Sequence, residues 1–180
     1  MSHYGGGHWQ GYAAPPYPTG ASPYPSAPSP NMIGTGVGVN FATEFFHPPT
    51  PVSVPVNGFG VGHRLRLVGV PTPGATRFEV NLHTPNDIAF HFNPRFNEHC
   101  VVRNNTKGGG WQREERYAQG FPFEHGKIFT LEFIAQPGQV QIFLNGRLFT
   151  QFAERDNPHA INRISVGGDV HIHSVHVSSG

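Results

Sequence analysis

The chain has 180 residues and a formal net charge of +1 at neutral pH. This balance gives no global attraction to nucleic acid or to acidic membrane surfaces, and no apolar run is long enough to span a bilayer, so we expect neither nucleic-acid partners nor membrane insertion. Cys100 is the only cysteine, which excludes an intramolecular disulfide and fits a reducing compartment.

Residues 1–43 have the composition of a disordered, low-complexity arm. They contain no Asp, Glu, Lys or Arg, and seven prolines and four tyrosines fall within the first thirty residues, in runs such as Pro15-Pro16-Tyr17-Pro18. Proline neither pairs within a sheet nor continues a helix. We therefore expect a disordered arm at 1–43 and one globular domain at 44–180. The N-terminus also lacks the basic start and apolar core of a secretory signal.

From Phe41 onward the chain consists of short alternating apolar runs separated by turns. Asn145-Gly146 is a strong two-residue hairpin signal, and no window of ten or more residues shows helical periodicity. Many short strands at regular spacing predict an all-β fold made of two antiparallel sheets packed as a sandwich. The predicted strands lie at 51–56, 64–70, 77–83, 89–96, 128–135, 139–144, 147–152, 163–166 and 170–177.

The strand predicted at 89–96 has two chemically distinct faces. Its alternation places Phe90, Phe92 and Phe96 on one face, which predicts core. His91, Asn93 and Arg95 occupy the other face with no apolar residue between them. Three adjacent hydrogen-bonding groups on one face predict a polar binding surface.

The segment after this strand supplies one aromatic ring and more polar groups. Alternation places Gln112, Glu114 and Arg116 on one face, whereas Trp111 has the opposite parity and joins them only if the chain bends. Planar donors and acceptors around one exposed ring suit a rigid, neutral, hydroxylated ligand such as a sugar. Arginines on either side of Glu114 would also hold these side chains still before binding.

The same residues form an ordered pattern that resembles the carbohydrate-recognition signature of galectins. The pattern reads His91-x-Asn93-x-Arg95, then Val102-x-Asn104, then Trp111-x-x-Glu114-x-Arg116. The resemblance extends over roughly residues 44–180. It implies a jelly-roll sandwich that binds β-galactosides, such as lactose or N-acetyllactosamine-type glycans, on its concave sheet. The arm resembles the Pro/Gly/Tyr-rich tail of chimera-type galectins, although it is shorter and its repeats are imperfect.

The resemblance also implies a role for each member of the pattern. His91, Asn93 and Arg95 would form hydrogen bonds to the axial 4-hydroxyl of galactose, and Asn104 and Glu114 would contact its 6-hydroxyl. Trp111 would stack on the apolar face of the sugar. Arg116 would contact the next sugar. In galectins the neighbouring strand lines the outer groove, where longer saccharides reach. Its polar residues are candidates for an extended subsite, namely Arg77, Glu79, Asn81 and His83.

The identity of the groove asparagine is left open by the sequence. Asn104 keeps the family spacing to Val102 and to Trp111, whereas Asn105 heads the family-like Asn-Thr-Lys run. Asn104 is the preferred candidate. Asn104-Asn105-Thr106 is also a glycosylation sequon. We expect Asn104 not to be glycosylated, because the sequence shows no signal peptide.

Other kinds of site are disfavoured. His171-Ile172-His173 does not supply the three or four convergent ligands that zinc requires, so we expect no metal and no cofactor. Glu114 between arginines is expected to remain ionised, which does not suit a general acid, so we expect no enzyme activity. The alternative to a lectin is a galectin-fold scaffold protein whose groove is unused.

The remaining expectations concern partners and compartment. One domain has one groove, so recognising or cross-linking glycans on glycoproteins or glycolipids requires self-association, through the arm or a sandwich edge. We expect a cytoplasmic protein. Since galectins reach the cell surface without a signal peptide, the resemblance also allows export to the extracellular space by that route.

Overall fold

A computed structural model describes residues 42–179, which form two large antiparallel sheets. The predicted arm at 1–43 lies outside the described residues except for its last two, and the domain boundary remains a prediction. In spatial order, the six-stranded sheet contains β1 (Ala42–Phe46), β13 (Val170–Ser178), β3 (Arg64–Pro71), β9 (Phe129–Gln136), β10 (Gln139–Leu144) and β11 (Arg147–Ala153).

The second sheet has five strands and carries the polar face predicted above. In spatial order, it contains β2 (Val52–Pro55), β12 (Arg163–Gly168), β4 (Phe78–His83), β5 (Ile88–Arg95) and β6 (Cys100–Asn104). A separate two-stranded ribbon is formed by β7 (Thr106–Lys107) and β8 (Gly110–Trp111). Within the described residues the only helical element is a 3₁₀ turn at Pro158–Ala160, and no helix there is long or apolar enough to cross a membrane.

Aromatic rings from both sheets meet in one core, which makes the fold a sandwich. Phe90 of β5 lies with its ring centroid 5.1 Å from that of Phe133 of β9 and 4.6 Å from that of Phe152 of β11. Phe78 of β4 stacks at 5.4 Å on Phe129 of β9. Burial of aromatic side chains is among the largest sources of core stabilisation. The predicted all-β, two-sheet antiparallel sandwich is confirmed.

The predicted faces of β4 and β5 are also confirmed. Phe78, Val80 and Leu82 of β4 are fully buried, and Phe90 and Phe92 of β5 are 2% or less exposed. The two strands pair with each other, so their polar faces are continuous. One row of facing residues crosses the whole five-stranded sheet, from Asn104 through His91, Asn81 and Ser165 to Ser53.

Turns and edges follow the sequence signals in most places. Asn145 and Gly146 connect β10 to β11 with positive φ angles of 49° and 80°, as a tight two-residue hairpin requires. The strand predicted at 51–56, with its two prolines, is the edge strand β2. Strand β1, strand β6 and the β7–β8 ribbon were not among the predicted strands, because none of them shows a clear alternation of apolar and polar residues.

Candidate functional site

The polar face of the five-stranded sheet forms the floor of an open cavity of about 540 Å³. Strand β5 lies at its centre, β4 and β6 flank it, and the segment 111–114 forms one wall. A floor of three adjacent strands fixes the side chains in rigid positions, which suits recognition of a rigid ligand. The lining residues are Arg77, Glu79, Asn81, Ile88, His91, Asn93, Arg95, Val102, Asn104, Trp111 and Glu114.

The structure brings together most of the residues selected from the sequence. Of the seven central candidates, six line the cavity. The seventh, Arg116, lies beside it and is held by Glu114. Of the four outer candidates, His83 does not line the cavity. The pairing of β4 with β5 shifts register after Leu82, and the imidazole Nε2 of His83 lies 2.7 Å from the hydroxyl of Ser165 on β12.

His91 is held as a neutral imidazole with a defined tautomer. Its Nδ1 lies 2.6 Å from Asn81 Oδ1. A carbonyl oxygen only accepts, so Nδ1 carries the ring proton and Nε2 is left as an acceptor. Burial, with the nearby positive charge of Arg95, lowers the pKa of His91 to about 4. The cavity therefore presents a hydrogen-bond acceptor at this position across the physiological pH range.

Asn93 and Arg95 form a fixed pair of hydrogen-bonding groups. Asn93 is 3% exposed, and its Nδ2 donates to the carbonyl of Phe78 at 2.7 Å. Its Oδ1 accepts from Arg95 Nε at 2.8 Å, which orients the guanidinium. Two partners on one buried amide leave it little freedom to turn. A sequence pattern alone does not show this mutual support.

Two arginines and two glutamates form a network at the end of the cavity. Arg116 donates from Nε to Glu114 at 2.8 Å and from Nη1 to Glu98 at 2.7 Å. Arg95 contacts the same two carboxylates, at 3.2 Å to Glu98 and 3.6 Å to Glu114. Arg116 and Arg95 hold the pKa of the Glu98 carboxyl below its usual range. The predicted Arg–Glu–Arg arrangement is present, and Glu98 is a fourth member that sequence reasoning missed.

Trp111 is the exposed aromatic ring of the site. Its side chain is 56% exposed, and its ring lies 4.7 Å from that of His91 between centroids. Strand β8 ends at Trp111, and the following residues leave regular strand geometry before Glu115 bridges Arg103 of β6. The bend that the parity of Trp111 required is therefore present, and it places Trp111 and Glu114 on the same cavity.

Asp87 anchors the turn that presents Trp111. Its carboxylate accepts from the backbone N–H groups of Gly108 and Gly109 at 3.0 and 2.9 Å, and from the Thr106 hydroxyl at 2.9 Å. The Gly109 N–H, with the Thr106 hydroxyl and the Gly108 N–H, lowers the pKa of Asp87. Both glycines have positive φ angles, so the turn requires them.

The structure distinguishes the two candidate asparagines. Asn104 lines the cavity, and its Nδ2 donates to the carbonyl of Gln112 at 3.0 Å. Asn105 is equally buried but does not line the cavity, and its Oδ1 accepts from Arg155 at 3.0 Å. The geometry favours Asn104 as the residue that faces a ligand.

Arg155 does not line the cavity, but it contacts residues next to those that do, and it was not predicted from the sequence. Its Nη1 also donates to the carbonyl of Arg113 at 2.8 Å, and its Nη2 donates to Glu115 at 2.7 Å. The guanidinium lies 4.8 Å from the ring centroid of Phe152, close enough for a cation–π contact. Arg155 thus joins the loop after β11 to the segment that carries Glu114.

The cavity offers directional hydrogen bonds rather than metal chemistry. Across 42–179 no group of three or more His, Cys, Asp or Glu side chains is arranged to hold a metal ion. The rings of His171 and His173 lie 5.5 Å apart, and His47 lies 5.4 Å from His173. These histidines belong to the six-stranded sheet or its margin, away from the cavity on the other sheet.

Comparison with known proteins gives one consistent family. Residues 49–177 match the family model described as "Galactoside-binding lectin". The chain is 39% identical over 122 residues to a 32 kDa beta-galactoside-binding lectin of Caenorhabditis elegans, covering 67% of this chain but only 43% of that protein. It is 35% identical over 169 residues to galectin-3 of Oryctolagus cuniculus, covering 90% of this chain and 69% of the relative.

A solved structure agrees with the sequence relatives. The crystal structure of Caenorhabditis elegans galectin LEC-6 superposes with a TM-score of 0.72 at 52% identity, covering 75% of this chain and 95% of that chain. The chain thus spans less than half of the nematode 32 kDa lectin but 95% of the chain in the LEC-6 structure.

Proposed function

This chain belongs to the galectin family of galactoside-binding lectins, and we propose that it binds β-galactosides in the groove over β4, β5 and β6. The family consists of carbohydrate-binding proteins rather than enzymes, and the relatives named above are lectins. The observation that carries the proposal is the contact between the exposed ring of Trp111 and a neutral, oriented His91, beside the Arg95–Glu114 pair.

The proposed pose follows from the chemistry of the cavity. Galactose has an apolar face of C–H groups, which stacks on Trp111 in the pose. Its axial 4-hydroxyl donates to His91 Nε2 and accepts from Arg95, with Asn93 completing the set. Asn104 and Glu114 contact the 6-hydroxyl, and Arg116 reaches the following sugar.

Selectivity for galactose over glucose has a physical basis in this pose. The two sugars differ in whether the 4-hydroxyl is axial or equatorial. An equatorial hydroxyl would leave His91 Nε2 without a donor and would remove the acceptor that faces Arg95 in a partly desolvated site. Sites built around a hydroxyl reject analogues that fail to satisfy them far more strongly than apolar pockets do.

The decisive test is calorimetric titration of lactose into the full chain, with sucrose as the negative ligand. We expect saturable heat with lactose and none with sucrose. Arg95→Ala should abolish binding, because it removes the donor to the sugar and frees Glu98 and Glu114 from a partner. Arg147→Ala, which removes an exposed arginine from β11 on the other sheet, is the matched control and should bind normally. No heat with lactose would favour the scaffold alternative.

We also propose that the protein self-associates, since one groove per molecule cannot cross-link glycans. Strands β1 and β11 are both edges of the six-stranded sheet, and Phe46 at the end of β1 is 68% exposed. The arm is the other candidate contact and lies outside the described residues. Sedimentation of the full chain over a range of concentrations tests this proposal. Phe46→Glu should shift the protein toward monomer if the contact is the β1 edge and not if it is the arm.

We propose cytoplasmic synthesis followed by export without a signal peptide. The sequon asparagine, Asn104, is 2% exposed and donates to a backbone carbonyl, so an attached glycan would be incompatible with this groove. That geometry supports a chain that does not meet the glycosylation machinery, as does the free thiol of Cys100. Intact mass measurement of the protein from its native cells should show an unmodified Asn104, and a glycosylated one would overturn the proposal.

A further inference from the structure

A second cavity, which we call the end cavity, lies at the end of the sandwich where β3 and β5 terminate. Its lining comes from three segments that are distant in sequence, at 75–76, 96–99 and 121–125. Its volume is about 560 Å³, close to that of the proposed galactoside groove and within the size range of small-molecule sites. The two cavities share no lining residue, so the end cavity needs an explanation of its own.

Aromatic rings in contact with one another form a row along the end cavity. The ring of Phe121 meets those of Phe96 and His99 edge to face, with centroids 5.1 and 5.8 Å apart. The ring of His125 stacks on Phe96 at 4.6 Å. Phe96 and Phe123 are buried, whereas His99 and His125 are exposed, so the row runs from the core to the surface. A further ring would extend the row through contacts that add to the gain from burying apolar area.

The end cavity has no charged side chain free to pair with a ligand. Glu124 is the only Asp, Glu, Lys or Arg among the lining residues, and its carboxylate lies 3.4 Å from the ammonium of Lys127. Glu98, on the turn that lines the cavity, instead pairs with the arginines of the groove, and Arg77 lines the groove. A charged ligand would lose hydration here without gaining a partner, so the surroundings favour an uncharged one.

Polar groups at the rim can orient such a ligand. His125 Nε2 lies 2.8 Å from the carbonyl oxygen of Ala75. A carbonyl oxygen only accepts, so Nδ1 of the neutral ring is left as an acceptor. The side chains of Asn97 and His99 are exposed on the same cavity. An aromatic molecule with a hydroxyl or N–H group can therefore bury its ring and still satisfy its donor.

The backbone of His99 holds its imidazole in the aromatic row at a cost. Its φ angle is 46°, in the left-handed region that residues other than glycine seldom adopt. The N–H of His99 donates to the carbonyl of Phe96 at 3.3 Å and closes the turn. Backbone outliers of this kind are concentrated at binding and catalytic sites, where the conformation has a use.

We propose that the end cavity is a second binding site, specific for a small uncharged aromatic molecule that carries a hydroxyl or N–H group. Its ring packs against Phe121 and His99, and its donor faces Nδ1 of His125. The inference does not depend on the proposed function, because the end cavity shares no residue with the groove. Lactose and the aromatic ligand should bind without competing.

NMR titration of the full chain with p-cresol, an uncharged ring with one hydroxyl, tests the site. We expect saturable shifts of the amide signals of 96–99 and 121–125, with a dissociation constant on the order of 1 mM for a molecule of this size. The non-aromatic analogue 4-methylcyclohexanol should bind about threefold to tenfold more weakly. Benzoate and benzylammonium should also bind at least about threefold more weakly, because each carries a charge. Saturating lactose should leave the p-cresol affinity unchanged.

Two variants test the aromatic row. His99→Asn removes the imidazole and keeps a residue that tolerates a positive φ angle, and Phe121→Leu removes the aromatic contact but keeps apolar volume. Each should weaken p-cresol at least about threefold. His47→Asn is the matched control, because His47 is also a histidine in the left-handed region, with φ of 47°, just beyond β1. It should bind p-cresol normally. Urea unfolding verifies that all three variants are folded.

Four outcomes would overturn the inference. These are absent p-cresol binding, equal binding of 4-methylcyclohexanol, displacement of p-cresol by lactose, and normal p-cresol binding to both His99→Asn and Phe121→Leu. None of them bears on whether lactose binds in the groove. Conversely, absence of lactose binding would overturn the proposed function and leave a p-cresol site at the end cavity intact.

Discussion

His91 and Asn81 face each other across the β4–β5 pairing, and the 2.6 Å contact between Nδ1 and Oδ1 sets which imidazole nitrogen meets the ligand. The contact links the outer strand of the groove to its centre. Asn81 was a candidate for an outer subsite only. The structure gives it a second role as the partner that orients His91.

Lactose affinity should be insensitive to pH over most of the physiological range. Protonation of His91 removes its acceptor, and the pKa of this group is lowered to about 4. The dissociation constant should therefore be flat from pH 7.5 to 5 and should rise about tenfold per unit below 4. An imidazole of ordinary pKa would already weaken binding about thirtyfold by pH 5. Titrations at fixed ionic strength, with circular dichroism to verify folding, distinguish the two cases.

The same group should make stability depend on pH. Unfolded His91 takes up a proton near pH 6.5, whereas the folded protein takes it up only near 4. More protons bind to the unfolded state in this window, so the unfolding free energy falls as the pH drops from 6.5 to 4. At pH 5 the loss is at most about 2 kcal/mol. Urea unfolding of the protein and of His91→Gln at pH 7 and 5 measures it, and an equal pH dependence in both would contradict this assignment.

Removing the exposed aromatic ring should affect binding without affecting the fold. Trp111 is 56% exposed, so Trp111→Ala should leave the urea midpoint nearly unchanged. Loss of stacking on the sugar should weaken lactose by at least tenfold, and Trp111→Phe should recover part of that loss. Tryptophan fluorescence should shift on titration of lactose into the unaltered protein and not into Trp111→Phe, which retains only Trp9.

Glu98 should contribute to binding through the arginines it holds. It contacts both Arg95 and Arg116, and Glu98→Gln would remove one of the two carboxylates that orient them. Exposed ion pairs are individually weak, so we expect lactose affinity to fall only about twofold to fivefold. Glu124→Gln, which breaks the exposed pair with Lys127 outside the groove, is the control and should have no effect. A larger loss for Glu124→Gln than for Glu98→Gln would be inconsistent with the network.

Asp87 should act on the site through the glycine turn. Asp87→Ala removes acceptors for the N–H groups of Gly108 and Gly109 and for the Thr106 hydroxyl, so hydrogen exchange at both glycines should accelerate. Lactose affinity should fall several-fold because Trp111 is less well positioned. Asp87→Asn keeps one acceptor oxygen and should show a smaller effect on both measurements. Unchanged exchange at the glycines would show that the turn holds without Asp87.

Arg155 should matter for stability more than its distance from the ligand suggests. Arg155→Met keeps much of the contact with Phe152 but leaves Glu115 and the Asn105 amide without their donor. We expect a loss of about 2 kcal/mol in urea unfolding. Arg155→Lys should recover little of it, since an ammonium cannot replace a guanidinium that contacts several acceptors at once. Full recovery by Arg155→Lys would mean that charge alone is sufficient.

Sequence periodicity predicted the elements whose two faces differ most in chemistry. Strands β4 and β5 alternate between aromatic or aliphatic residues and polar residues, so their faces could be assigned before the structure. Of the seven central candidates, three lie on β5, one lies on β6 and three lie in the segment 111–116, and all but Arg116 line the cavity.

The features that escaped prediction depend on contacts between distant segments. Glu98 follows β5 in a turn with no periodic signal, and Arg155 reaches the site from a loop after β11. Only the folded chain shows that these loops return to the groove. His83 lies on the strand position that alternation predicts, but it does not line the cavity. The shift in the β4–β5 pairing between Leu82 and His83 cannot be predicted from the alternation of apolar and polar residues.

The alternation of β5 has a consequence for how this site can evolve. Inserting or deleting one residue between Ile88 and Arg95 would turn Phe90 and Phe92 toward solvent and His91 and Asn93 into the core together. A one-residue insertion or deletion in β5 would therefore abolish folding and ligand recognition together. New ligand preferences are therefore accessible by substitution on a strand of constant length, whereas changes in length are tolerated at lowest risk in the loops.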